Sequence, residues 1–205
     1  TTVGVKPDQK AVLSFSHTER KDGDYEGSGG ILYTTTDTTT DTTTTTDAAV
    51  SLTMGTGGSS GTYYSFGNVL AGYMADKSGA SVNVVSTDGS AANIFNIDDG
   101  VNHLATVQSD VMAYAWAGTR SFEADGAVNS FRVIAGLYAE AVQLVTMDPS
   151  IKSVADLAGK RVSIGAPGSG VYFNAIDVLS AAGLTENDIQ AQYQSFADSA
   201  DALKD

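Results

Sequence analysis

Serines, carboxylates and glycines set close together are what the chain offers for chemistry. The densest group is Met54-Gly55-Thr56-Gly57-Gly58-Ser59-Ser60-Gly61-Thr62-Tyr63-Tyr64. Gly57-Gly58-Ser59-Ser60-Gly61 fits G-x-S-x-G, the turn that exposes a nucleophilic serine between a strand and a helix. Such a serine needs a later acid and a later histidine. The only downstream histidine is His103, which directly follows Asp98 and Asp99, with no separate acid element before it. The stretch also approaches the dinucleotide fingerprint, but its last glycine comes one residue late. It has no lysine for a phosphate-binding P-loop. A glycine turn with no ligand is the plain alternative. The reading that uses every residue is an anion site. Glycines let backbone approach a ligand at φ values other residues avoid, and a helix start offers free N–H groups at the positive end of its dipole.

Those residues need a strand before them and a helix after. Val50 to Met54 reads as the strand. Phe66, Leu70, Tyr73 and Met74 mark one apolar face of the helix. From Ala48 onward, strands and helices alternate. Strands are expected at Val82–Val85, Leu104–Val107, Phe131–Leu137, Val142–Met147, Arg161–Gly165 and Tyr193–Phe196. Helices are expected from Ser90 to Ile97, from Ser109 or Asp110 to Gly118, after Gly170 as far as Gly183, and from Asp198 to Lys204. A short turn is expected at Val154–Gly159, and a polar loop at Ser121–Ser130. This alternation predicts an α/β fold with a parallel-rich sheet and flanking helices. Ligands on such sheets bind beyond the carboxyl ends of the strands. The loops Gly55–Thr62, Ser86–Ser90, Gln108–Asp110, Tyr138–Glu140 and Gly165–Gly170 all fall there.

Composition narrows the partners. The chain has 205 residues, 42% of them apolar, with 22 Gly, 3 Pro and no Cys. Lack of cysteine removes disulfides, thiolate chemistry and Cys-type zinc sites. A net charge of −13 disfavours nucleic acid and anionic membrane surfaces. No stretch is long and apolar enough to span a bilayer, and no signal peptide is visible. No metal cluster, cofactor motif or catalytic residue stands out, so an enzyme is not expected. Residues 1–33 carry no functional motif but have β character at Val12–Phe15 and Ile31–Tyr33. Between those runs, residues 17–30 read as a hairpin loop, with His17 a solvated residue. Residues 34–47 are almost pure Thr with three Asp and read as a linker, a stiff β-like stretch or a glycosylated stalk.

Five stretches taken together resemble the TAXI family, the solute-binding proteins of tripartite ATP-independent periplasmic (TRAP) transporters. They are Met54–Tyr64, Thr87–Asn93, Leu104–Asp110, Arg132–Glu140 and Val154–Gly170. The resemblance covers roughly residues 50 to 205. It implies a fold like that of type II periplasmic binding proteins, with a first lobe over 48–147 and an incomplete second lobe over 148–205. It also implies a small organic anion, such as glutamate or another carboxylate, held between the lobes and passed to membrane transporter subunits outside the cytoplasm. The positions matching the family's cleft, together with Ser90, are Gly57, Gly58, Thr62, Tyr63, Gln108, Asp110, Tyr138, Gly168, Ser169 and Gly170. The chain departs from the family where Val171 replaces the usual Thr, in residues 1–33, which have no counterpart, and at Asp205, where members continue. A chain with part of the second lobe is expected to bind weakly and to be open to self-association. The alternative is a surface or filament subunit that assembles through residues 1–33 and the Thr-rich stalk.

The two glycine turns, 57–61 and 168–170, are expected to face each other across the cleft. No basic residue lies in the cleft loops, and Arg132 sits at the far end of its strand from Tyr138. Backbone N–H groups would then carry most of the anion affinity, with Thr62, Gln108 and Tyr138 setting orientation. Gly58→Val is expected to block the approach.

Overall fold

Residues 11–12, 27–34 and 50–204 are described by the structure, a computed structural model. The strands are β1 (Ala11–Val12), β2 (Gly27–Thr34), β3 (Ser51–Gly55), β4 (Ser81–Val85), β5 (Leu104–Gln108), β6 (Phe131–Glu140), β7 (Arg161–Ser163) and β8 (Gln190–Gln192). The helices are α1 (Thr62–Ser78), α2 (Ser90–Asp98), α3 (Ser109–Ala117), α4 (Gly170–Ala181) and α5 (Phe196–Ala202). The main sheet has the order β4-β3-β5-β2-β6, with β1 also pairing to β5. β3 runs parallel to β4 and β5, and β1 is parallel to β5. β2 alone runs against its neighbours, antiparallel to both β5 and β6. The result is an α/β fold with a parallel-rich sheet and flanking helices. β7 and β8 form a separate parallel pair.

Burial follows position in the sheet. Every residue of central β5 is buried, as a strand covered on both faces requires. Edge strand β4 alternates between exposed and half-buried residues over most of its length. On one side of the sheet, Leu52, Met54 and Leu104 pack with Leu70 and Met74 of α1. On the other, Ile94 and Ile97 of α2 and Val111 and Ala115 of α3 meet Val107 and Phe131. Phe173 of α4 joins that second cluster. The β7–β8 pair has its own small core of Leu157, Ile164, Leu179 and Ile189.

α1 meets the sheet differently from its apolar stripe. Tyr73 is 60% exposed. The buried positions are Gly67 and Ala71, between Phe66, Leu70 and Met74. Small residues bring the helix close: a Cβ at Gly67 would lie 2.8 Å from Thr56 Cγ2. The helix stops at Gly79, whose φ of 70° lets its N–H reach the Ala75 carbonyl.

Several sequence expectations change. The two strands expected over 131–147 are one, β6, which runs through Tyr138 to Glu140 because Gly27 and Ser28 pair opposite Glu140 and Ala139. Residues 142–147 are not a strand, and Val142, Leu144, Val145 and Met147 are exposed. The strand expected at Tyr193–Phe196 is absent. β8 ends at Gln192, and Ser195 caps α5 by accepting the Asp198 N–H, which places Phe196 in the helix. The stretch read as a polar loop at 121–130 includes Phe122, fully buried against Phe95 with ring centres 4.9 Å apart. The strand at Ile31–Tyr33 is the longer β2, so 27–30 are strand rather than hairpin loop. Residues 13–26, including His17, and the Thr-rich run from 35 lie outside the described residues.

Candidate functional site

β3, β4 and β5 all end on the same side of the sheet, and the loops that follow them are tied together. The Gly57 carbonyl accepts from Ser86 Oγ at 2.9 Å and from the Thr87 N–H at 3.3 Å. The Thr56 carbonyl accepts from Thr87 Oγ1 at 2.9 Å and from the amide of fully buried Asn93, which also donates to the Thr106 carbonyl. Ser90 Oγ accepts the Gln108 N–H at 3.0 Å, linking the start of α2 to the end of β5. The Ala91 N–H donates to the Gly168 carbonyl at 3.0 Å, so the turn before α4 docks on α2.

These ties enclose a cavity of about 180 Å³. One wall is Gly57, Gly58, Gly61, Thr62 and Tyr63. A second is Asp88, Gly89, Ser90 and Gln108. Ser169, Gly170 and Val171 form the third, with Glu140 and Phe196 completing the lining. Three helices, α1, α2 and α4, begin at this cavity. Gly61 caps α1 and Gly89 caps α2, neither with a side-chain hydrogen bond, so their first-turn N–H groups, apart from that of Ala91 which the Gly168 carbonyl already holds, keep donor capacity. At α4, Ser169 Oγ accepts the Tyr172 N–H at 3.1 Å and uses one of those donors.

The residues singled out from sequence divide by place. Gly57, Gly58, Thr62, Tyr63, Ser90, Gln108, Ser169 and Gly170 line the cavity. Asp110, Tyr138 and Gly168 do not. Asp110 stands behind Gln108 in the first turn of α3. Its carboxylate accepts from the Val111 N–H at 2.8 Å, from Gln108 Nε2 at 3.2 Å and from Asn174 Nδ2 at 3.4 Å. Burial pushes its pKa up. Gly168 supports the turn with a φ of 79°. The Tyr138 ring packs edge-on against Tyr63 and Phe66, with centres 6.4 and 6.1 Å away. Its hydroxyl is buried with no partner among the described residues.

Sequence reasoning missed Glu140 and Phe196. Glu140 Oε2 accepts from Tyr63 Oη at 2.8 Å. Burial raises the Glu140 pKa, nearby Asp110 raises it further, and the Tyr63 bond works against both. Burial and then the Glu140 charge push the Tyr63 hydroxyl well up, so it is a firm donor at neutral pH. The clue to Glu140 was its position six residues beyond Ile134 in an apolar run, on a strand that reads as ended before it. Phe196 was hidden by the strand expected at its position.

The glycines also act differently from expectation. None of Gly57, Gly58 and Gly61 has a positive φ. A Cβ at Gly58 would meet nothing within 4 Å. The demanding position is Gly170, where a Cβ would fall 1.7 Å from Gln108 Oε1. Gln108 Nε2 reaches across to Asn174 Oδ1 of α4 at 3.0 Å, so its amide is committed between the two parts of the chain. The Ser59–His103 pairing needed for a nucleophilic serine does not form. His103 precedes β5, at the opposite end of the sheet, and its Nδ1 accepts the Thr53 N–H at 3.0 Å.

Comparison with known proteins gives one family and a set of solved structures. The family model described as the NMT1-like family matches residues 54–205. The alkanesulfonate-binding protein SsuA from Xanthomonas axonopodis pv. citri, bound to MOPS, is 17% identical, with a TM-score of 0.44. That match covers 77% of this chain and 52% of the other. The periplasmic aliphatic sulphonate binding protein SsuA from Escherichia coli is 20% identical, with a TM-score of 0.39, over 75% of this chain and 50% of the other. The chain thus spans about half the length of the solved structures it matches.

Proposed function

The chain belongs to the NMT1-like family, and from that membership and the cavity we propose that it is an extracytoplasmic solute-binding protein that captures a small organic anion. The observation that carries this reading is the meeting of three helix N-termini on one small cavity, two of them without side-chain caps. Backbone N–H groups and helix dipoles there favour an anion, with no Lys or Arg among the described lining residues. A volume of about 180 Å³ is below the roughly 300–1,000 Å³ of pockets for drug-sized ligands, which suits a small metabolite.

Binding fits better than catalysis. The Ser59–His103 pairing does not form, and Ser90, Gln108 and Ser169 of the cavity wall are engaged in holding loops and helix starts together. In a two-lobed protein of the type II periplasmic class, the main sheet would belong to one lobe and the β7–β8 unit to the other. Closure would then trap the solute between them. The finer assignment we propose is a TAXI-type protein that hands its solute to TRAP transporter subunits. No helix among the described residues is long and apolar enough to cross a membrane.

The test is calorimetry on the purified protein against carboxylates, amino acids and alkanesulfonates, because all three present an anionic oxygen cluster to N–H donors. Saturable one-to-one binding by at least one class supports the reading. No heat from any class, together with no small molecule released on denaturing the purified protein, would reject it.

A further inference from the structure

Glu140 is a carboxylate in the cavity wall with no ion-pair partner among the described residues. Among the described residues the ion pairs are Arg120–Asp177, Lys160–Asp148 and Lys204–Asp201, none of which touches the cavity. Arg132, on the same strand as Glu140, donates instead to the carbonyls of Asn129 and Phe131 at the other end of β6. Among the described residues the hydrogen-bond partner of Glu140 is Tyr63 Oη, on Oε2. A partly buried carboxylate is costly unless it is paired or fully hydrogen-bonded, and a single phenol leaves Oε1 open.

Resting on the solute-binding reading, we propose that Glu140 is the cation-recognition residue of this cavity, so that its ligand is a zwitterion with a protonated nitrogen beside the anionic group. The anionic end faces the N–H groups that open α1 and α2. The ammonium donates to Glu140 Oε1, while Tyr63 keeps Oε2 and fixes the carboxylate's orientation. The aromatic side chains of Tyr63 and Phe196 belong to the same lining, and aromatic rings suit a cation. A plain dicarboxylate would place its second charge against Glu140 and be repelled. The same carboxylate that selects for the nitrogen therefore rejects an anion lacking it.

Matched probes test this: L-alanine with propionate, L-glutamate with glutarate, and taurine with ethanesulfonate, each titrated calorimetrically into wild type and Glu140→Gln. The expected result is that, in any pair that binds, the aminated member binds at least about tenfold tighter to wild type. Glu140→Gln should shrink that ratio to below about twofold. The ratio is read within one preparation, so a partly unfolded variant cannot mimic the change. Glu140→Asp, which keeps the charge, should retain a preference. The proposal is overturned if the amine-free member binds as well to wild type, if the preference survives in Glu140→Gln, or if that variant weakens both members equally. Amine-free anions binding tightly would overturn this inference and leave anion capture standing. Absence of binding by every probe and of any co-purified solute would reject both.

Discussion

At the scale of single residues, the tightest constraint on the cavity is Gly170 against Gln108. A Cβ there would overlap an amide that is already held by Asp110 and Asn174. Gly170→Ala should therefore cost about 1–3 kcal/mol of stability, read as a shift in urea midpoint. Pairing it with Gln108→Ala should recover part of the loss, a coupling that a double-mutant cycle detects. Gly58 is the opposite case. With no positive φ and nothing near its missing Cβ, Gly58→Ala should leave stability unchanged or raise it by up to about 1 kcal/mol, by narrowing the unfolded ensemble. A larger loss in the same urea experiment would show that the loop needs that glycine. Sequence spacing marks both glycines alike. The difference is set by Gln108, about 60 residues away along the chain, and no local pattern records it.

At the scale of elements, the join between α1 and the sheet rests on Gly67. Its substitution by Ala should cost about 1–3 kcal/mol, because Thr56 is fully buried, gives its hydroxyl to the Val85 carbonyl and cannot retreat. Ser169→Ala should cost about 1 kcal/mol through the lost cap on the Tyr172 N–H. Thermal melts of both variants check these figures. The elements themselves were largely legible. Periodicity located β3, β4, β5 and the helices from α1 to α4 because their apolar patterns are local. It failed where tertiary pairing decides. β6 extends to Glu140 only because β2 lies opposite, and the apolar run at 142–147 reads as a strand although no strand is made there. Of the cavity, the glycine loops and Gln108 were legible as strand-end residues. Glu140 fell within a strand-end loop but was not singled out, and Phe196 was not legible at all, since each stands in an element whose boundary was misjudged.

At the scale of the whole molecule, acid should act in two directions. Burial raises the pKa values of Asp110 and Glu140. A raised carboxylate contributes stability that is fully present below its unfolded value and is lost as pH rises through its folded one. Asp148, Asp156 and Asp188 are lowered instead, by hydrogen bonds from Ser150, from the Lys152 N–H and from Thr185 respectively, with Lys160 assisting at Asp148. Their contribution is present above an unfolded pKa of about 4 and is lost as pH falls through the folded values. The net charge of −13 adds self-repulsion that eases on acidification. The melting temperature should therefore rise as pH falls from neutral toward the unfolded carboxylate value, then drop below about 4. Asp110→Asn should flatten the rising limb, and an unchanged slope would exclude Asp110 as its source. The antiparallel position of β2 has a consequence in time. Ser28 lies opposite Ala139, about 110 residues downstream, and a ribosome adds roughly 5–20 residues per second. For several seconds of synthesis, β2 has left the ribosome before either of its neighbours exists. During that interval it is an unclaimed strand, and the sheet can close only after β6 has emerged.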